Sequence, residues 1–117
     1  MKLTVIGGGG VRALMLAKSL ALQGKDLGID EIVFMDNDPE KLRIFGGMAG
    51  EVIRRLGGDF TYSYTNDPRH ALAGADYVIT TIRVGGDAAR VADERIAISH
   101  GLIGQETTGA GGFAMAM

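Results

Sequence analysis

Cysteine is absent from the 117 residues. That excludes disulfides and any thiolate metal site within them, and it fits a reducing cytoplasm. A charge excess of either sign is also missing: the formal net charge is −2, so no electrostatic argument points to nucleic acid or to an anionic membrane. No apolar run approaches the ~18 residues that could span a bilayer. The opening stretch, Met1 to Ile6, is apolar but runs into four glycines, so no signal-peptide core forms. The length suits one domain with a real core and is too short for two. There is neither an internal repeat nor a low-complexity tract.

What is abundant is glycine. Nineteen residues are Gly, about twice the usual ~7 % share. They cluster at Gly7–Gly10, Gly46-Gly47, Gly57-Gly58, Gly85-Gly86 and Gly109–Gly112. Clusters of this kind mark element ends where the backbone turns sharply, or places where something approaches it closely.

Between the clusters the chain alternates. Leu3–Ile6 reads as a short buried strand, and Val11–Gln23 carries apolar residues at helical spacing (Leu14, Ala17, Leu20, Ala21) up to Gly24. Glu31–Met35 is a second strand. Asp38-Pro39-Glu40 opens a helix, with Asp as cap and Pro at its first position, that runs to Leu56 before Gly57-Gly58 stops it. Phe60–Tyr64 is a weaker third strand, Asn66-Asp67-Pro68 caps a short helix through Ala73, and Tyr77–Ile82 is the fourth strand. A polar helix follows from Asp87 to about Ser99, and Gly111–Met117 looks like the opening of a helix cut short, as in a fragment. Strands alternating with helices, and strands apolar on both faces, predict an α/β fold: a Rossmann-type doubly wound parallel sheet covered on both sides.

The first glycine cluster carries chemistry. Val5-Ile6 feeds Gly7-Gly8-Gly9-Gly10, which feeds a helix, the order of elements that pyrophosphate binding needs. Glycine permits the turn, its missing side chain lets phosphate oxygens reach backbone N–H groups, and the helix N-terminus supplies partial positive charge. The candidate cofactor contacts are Ile6, Gly7, Gly8, Gly9 and Gly10. Two registers are open: Gly7-x-Gly9 puts Arg12 at the third glycine's place, and Gly8-x-Gly10 puts Ala13 there. Asp36 ends the second strand, somewhat later than the usual ~20 residues after the motif. A carboxylate there accepts ribose hydroxyls and repels a 2′-phosphate, which favours NAD over NADP; the plainer reading is a cap, for which Asp38 is better placed.

In this winding the fourth strand lies beside the first, and a ligand crevice opens at their carboxyl ends. Arg83 stands there, before Val84-Gly85-Gly86. It is suited to bidentate contact with phosphate or carboxylate, and from position alone a surface arginine without a partner is equally consistent. Gly104–Gly109 reads as an ordinary polar loop. His70 and His100 are isolated, which suits solvated or capping roles better than metal binding. Methionines 15, 35, 48, 115 and 117 read as core or end-of-chain residues.

With these motifs in hand the chain resembles glycoside hydrolase family 4, the NAD- and metal-dependent glycosidases, and within it the 6-phospho-β-glucosidases. The resemblance is carried by Val5–Gly9, by Arg83–Gly86 with Asp93-Glu94-Arg95-Ile96, and above all by Gly101–Gly109 followed by Gly111-Gly112-Phe113. It spans nearly all of the chain but only the amino-terminal part of such an enzyme. It implies a two-domain glycosidase outside the two-carboxylate scheme: bound NAD⁺ oxidises the sugar's 3-hydroxyl, a tyrosine base removes the acidified C2 proton, a divalent metal (typically Mn²⁺) stabilises the enediolate, and the aglycone leaves from C1.

Carried over by position, Gly7, Gly9 and Gly10 match the cofactor loop, Asp36 the ribose contact and Arg83 a substrate-binding arginine. Catalytic and metal-binding residues are expected beyond this chain, so none of Tyr62, Tyr64 or Tyr77 takes the role of base. Two departures stand out. The family usually has Ser or Thr where Gly10 stands, and often a Tyr-Thr-Pro-Glu-like run in place of Val11-Arg12-Ala13-Leu14. The expected partner is a phosphorylated sugar, with no nucleic acid or membrane, in a cytoplasmic homodimer or homotetramer. A lactate/malate-type dehydrogenase and a non-catalytic NAD-sensing module are the alternatives.

Overall fold

The computed structural model describes residues 1–106 and 108–116. They fall into two compact units, Met1–Ile82 and Arg83–Met117. The first contains β1 (Lys2–Ile6), α1 (Arg12–Gln23), β2 (Glu31–Met35), α2 (Pro39–Arg55), β3 (Thr61–Thr65), α3 (Pro68–Leu72) and β4 (Tyr77–Thr80); the second contains α4 (Gly86–Ser99) and α5 (Gly109–Ala116).

The four strands form one parallel sheet in the order β3-β2-β1-β4, the arrangement the alternating pattern predicts. Alternation along the central strands divides their side chains between two faces. On one face Leu3, Val5, Ile32 and Phe34 pack with Ala13, Ala17 and Leu20 of α1 and with Ala49 and Ile53 of α2. On the other, Val33 and Met35 meet Ala71 of α3 and Ile6. Thr4 is fully buried there, and its hydroxyl donates to the Ala71 carbonyl at 2.7 Å.

The helix boundaries follow from local chemistry. Asp38 accepts from the amides of Glu40 and Lys41 at the start of α2, with Pro39 at its first position. Those backbone bonds, that from Lys41 foremost, hold the Asp38 carboxyl below its ordinary value. Asp67 caps α3 in the same way. Gly57, at φ +72°, ends α2: its N–H donates to Arg54 O, and that of Gly58 to Ile53 O, which satisfies carbonyls the helix would otherwise leave bare.

Gly46-Gly47, grouped by the sequence with element ends, lies inside α2. Close approach explains Gly46 and Gly50, where a Cβ would sit 2.9 Å from Tyr64 Cγ and 3.1 Å from the Tyr62 ring; at Gly47 a Cβ would meet nothing within 4 Å. The Tyr62 hydroxyl donates to the Gly46 carbonyl at 2.8 Å, its ring meets Phe34 edge to face at 5.3 Å, and burial pushes its phenol pKa upward. Helix propensity lost at Gly46 and Gly50 is exchanged for aromatic packing.

Two expectations need correction. Among the described residues the fourth strand is not covered on both faces: Tyr77, Val78 and Ile79 are 63, 46 and 37 % exposed, β4 pairs with β1 alone, and α3 packs on β1, β2 and β3. It also ends at Thr80 rather than Ile82, where its partner β1 ends. Of the methionines read as core or end-of-chain residues, Met35 is core and Met115 is exposed near the chain end, but Met15 and Met48 are exposed within the chain; Met117 lies outside the described residues.

Candidate functional site

The bend from β1 into α1 is built by the ends of three strands. The Gly7 and Gly8 amides both donate to the Met35 carbonyl at 2.8 Å, which ties the loop to the end of β2. Gly7 has φ +96°, and a Cβ there would stand 2.3 Å from the Thr81 carbonyl oxygen just past β4. A Cβ on Gly8 would be 2.7 Å from Phe34 Cβ, and one on Gly9 2.8 Å from the Asp36 carboxylate. Packing within the chain itself therefore demands glycine at positions 7, 8 and 9. Gly10 is different: a Cβ there would meet nothing within 4 Å.

The third position of the glycine motif is settled by burial. Ala13 is 4 % exposed against the sheet, while Arg12 points to solvent. Ala13 is thus the small residue that permits close packing of helix on strand.

Beyond the bend, α1 begins without a cap. Val11 occupies the capping place and offers no side-chain acceptor. The amides of Gly10, Val11 and Arg12 have no acceptor among the described residues. An uncapped helix start with bare N–H groups carries partial positive charge and is suited to an anion.

Asp36 is partly buried at the end of β2. Its Oδ2 accepts from the Gly9 amide at 2.8 Å and its Oδ1 from the Asp38 amide at 3.1 Å. The sequence did not foresee this buttressing of the loop. An ionised carboxylate has about four acceptor sites, so two remain for hydroxyl groups. Asp38, not Asp36, is the cap of α2.

Arg83 opens the second unit. It is not the surface arginine without a partner: its Nη2 is paired with Glu106 Oε1, and its side chain is 32 % exposed. Glu106 Oε2 also lies 3.6 Å from Arg90 Nη1, and Arg90 Nε donates to Glu94 Oε1 at 2.9 Å. The loop from Gly104 is more constrained than its polar composition suggests. A Cβ on Gly104 would be 2.9 Å from Glu94 O, and one on Gly111 2.1 Å from Gln105 O. Thr108 Oγ1 donates to Gln105 Oε1 at 2.6 Å. Thr107 lies outside the described residues. His100 ends α4, with its Nδ1 2.9 Å from Ile96 O and 3.1 Å from Ser99 Oγ, a capping position. Among the described residues no three His, Cys, Asp or Glu side chains come together as metal ligands, and no helix is long and apolar enough to cross a membrane.

Comparison with known proteins decides the lineage. The model for the family described as Family 4 glycosyl hydrolase matches residues 2–117. The chain belongs to glycosyl hydrolase family 4. Among family 4 relatives, the 6-phospho-beta-glucosidase BglT of Thermotoga maritima is 41 % identical over all of this chain and 28 % of its own length. A 6-phospho-alpha-glucosidase of Leptotrichia buccalis is 35 % identical over 97 % of this chain and 26 % of its own. A structure of the Thermotoga maritima 6-phospho-beta glucosidase with NAD and glucose-6-phosphate superposes with a TM-score of 0.88 at 39 % identity, covering 99 % of this chain and 27 % of that one. A 6-phospho-alpha-glucosidase from gut microorganisms, in complex with the same two ligands, gives 0.86 at 35 %, covering 98 % and 26 %; another such enzyme was solved with NAD and Mn2+. The chain therefore spans about a quarter of the length of the family 4 relatives it matches, and the family takes the place of the dehydrogenase alternative.

Proposed function

We propose that residues 1–117 are the NAD-binding part of a family 4 glycosidase that hydrolyses 6-phospho-glucosides, with 6-phospho-β-glucosides as the favoured substrates. One observation carries the reading: behind a loop whose first three glycines are required by packing, α1 starts uncapped with the amides of Gly10, Val11 and Arg12 uncommitted. A pyrophosphate supplies the acceptors these groups lack, and the open side at Gly10 leaves room for it to approach. The residues present fit the group.

Within this reading Ile6 to Gly10 form the floor under the phosphates. Asp36, already holding Gly9 in place, uses its remaining lone pairs for the ribose hydroxyls and repels a 2′-phosphate. Arg83 contributes to holding the phosphorylated sugar. Bound NAD⁺ would supply a hydride acceptor for the sugar, and a divalent metal, held by residues outside this chain, a Lewis acid. The chain's own task is binding and orientation; no catalytic base or metal ligand is assigned to it. Relatives named for α- and β-linked substrates both match, as expected if the chemistry turns on C–H acidity beside a carbonyl rather than on in-line displacement. A sugar phosphate is retained in the cytoplasm by its charge, and we place the enzyme there, as a homodimer or homotetramer.

Two measurements test this. The full-length protein, given NAD⁺, Mn²⁺ and a chromogenic 6-phospho-β-glucoside, should release the aglycone with no net change in NADH absorbance; absence of release defeats the assignment. The chain itself should bind NAD⁺ more tightly than NADP⁺, and the reverse order removes the role given to Asp36.

A further inference from the structure

We infer that the exposed face of α2 is a two-fold interface between copies of this protein, in which two α2 helices pack antiparallel and cross at Gly47. The inference names a contact surface for the homo-oligomer proposed above. It does not depend on the reading of the cofactor or sugar sites.

Gly47 is the starting point. Glycine is the poorest helix former after proline. Gly46 and Gly50 answer to Tyr64 and Tyr62, but a Cβ on Gly47 would meet nothing within 4 Å, so packing within the chain gives no reason for it. A helix laid across this point from outside does, because the distance between helix axes depends on the side chains at the contact. On the open face beside it, Ile44 and Met48 are 42 and 50 % exposed. Helix α1 lies against the same face of the sheet and adds exposed Met15 and Leu22, which widens the apolar area towards the ~800 Å² per partner of a stable interface.

Charge decides which partner fits. Helix α2 has 17 residues, Pro39–Arg55, and Gly47 is its midpoint. In an antiparallel pair crossing there, Glu40 is level with the partner's Arg54, and Arg43 with the partner's Glu51. All four lie within about 40° of Gly47 around the helix axis, at ~3.6 residues per turn. Within one copy the ion pairs of α2 join Lys41 to Asp38 and both Arg54 and Arg55 to Glu51. They leave out Glu40 and Arg43, which take part in no ion pair among the described residues. The reversed copy brings a cation to each Glu40 and an anion to each Arg43.

A parallel pair would instead set like charges level with each other, which is costly at an interface. A face complementary to itself under a two-fold rotation is what an isologous contact requires. Neither an unrelated protein nor the rest of the same chain calls for that symmetry.

The test uses the full-length protein, with sedimentation to give its mass and dissociation constant. Gly47→Arg puts a long cation on the crossing point while improving helix propensity. It should halve the assembled mass and weaken association at least about 30-fold, the scale of a hot-spot residue, with the far-UV circular dichroism unchanged. Glu40→Arg sets a cation level with the partner's Arg54 and should weaken association about 3–10-fold. Gly47→Cys should form a disulfide-linked dimer on mild oxidation, because a residue on the two-fold axis meets its own copy. Arg69→Cys, exposed on α3 across the sheet, should not. The inference is overturned by a monomeric wild type, or by a Gly47→Arg protein within about threefold of the wild-type dissociation constant. A Gly47→Cys protein that cross-links no more than Arg69→Cys also overturns it, and that is the result expected if the rest of the same chain covers α2. Should Gly47→Arg not fold, Glu40→Arg and the cross-link decide. Aglycone release by the same preparations reports on the proposed function separately: a protein that assembles through α2 but hydrolyses no 6-phospho-glucoside removes only that reading.

Discussion

The four consecutive glycines of the first bend should behave as two different kinds of residue when a side chain is added. At Gly8 a new methyl would lie 2.7, 3.0 and 3.2 Å from Cβ, Cγ and Cδ2 of Phe34, against an optimum of ~3.5–4.0 Å for carbon pairs. Neither side can yield. Phe34 is fully buried and edge-on to Tyr62, and the Gly8 amide is tied to Met35 O. Overpacking of this kind costs about 1–3 kcal/mol, which for a domain of this size lowers Tm by roughly 4–20 °C. At Gly10 nothing lies within 4 Å and φ is not in the left-handed region. Gly10→Ser therefore meets no contact and narrows the unfolded ensemble, a gain of about 0.4–1 kcal/mol. Thermal unfolding of Gly8→Ala, Gly10→Ser and wild type, each with and without NAD⁺, separates the cases. Gly10→Ser should melt at or above wild type and still be stabilised by NAD⁺, in line with the Ser or Thr usual at this place in the family. A Gly8→Ala protein as stable as wild type, or a Gly10→Ser protein that falls equally far, would refute the assignment of these glycines to packing and to ligand access.

Asp36→Asn keeps an acceptor for the Gly9 amide but removes the negative charge, so the preference for NAD⁺ over NADP⁺ should shrink; calorimetric titration with both cofactors measures it, and an unchanged ratio contradicts the ribose role. Thr4→Val leaves the Ala71 carbonyl without its buried donor, a loss of about 1–3 kcal/mol that urea unfolding would register; a neutral result would mean the carbonyl finds another partner. Hydrogen bonds from Arg54 and then Arg55 depress the Glu51 carboxyl from 4.5 to about 2. A lowered folded-state pKa contributes stability that is complete above pH 4.5 and is lost as pH falls towards 2; at this exposed site the effect is small, and Glu51→Gln should flatten that part of the Tm–pH curve without altering Tm differences above about pH 6.

The first two strands and helices were legible because each carries redundant signals. Glu31–Met35 is bounded as read, since an apolar run closed by Asp36 has no competing interpretation, and α2 has both its cap and its stop in the sequence: Asp38-Pro39 at one end and Gly57-Gly58 at the other. The fourth strand was legible in position but not in environment. Tyr77-Val78-Ile79-Thr80 reads as a strand apolar on both faces, yet among the described residues it pairs only with β1, and which elements flank a strand cannot be recognised from one segment's composition. The partners of Gly46 and Gly50 inside α2 were not legible for a similar reason: Tyr64 and Tyr62 lie a strand away in the chain.

The candidate site divides along the same line. Its local parts, a strand, a glycine bend and the start of a helix, are contiguous in sequence and can be read from it. Its long-range parts cannot: the Met35 carbonyl that consumes two loop amides, the Asp36 carboxylate that holds Gly9, and the Glu106 carboxylate that engages Arg83. Periodicity and motif spacing report what a segment tends to do and carry no record of which distant acceptor it meets. The proposed anion site is shifted as a result. Of the amides from Gly7 to Arg12, the first three are occupied by the fold itself, so the positive end proposed for a ligand begins at Gly10, three residues after the glycine run starts. A phosphate seated on the Gly7 or Gly8 amides would have to break bonds to Met35 O; one seated on Gly10, Val11 and Arg12 breaks none.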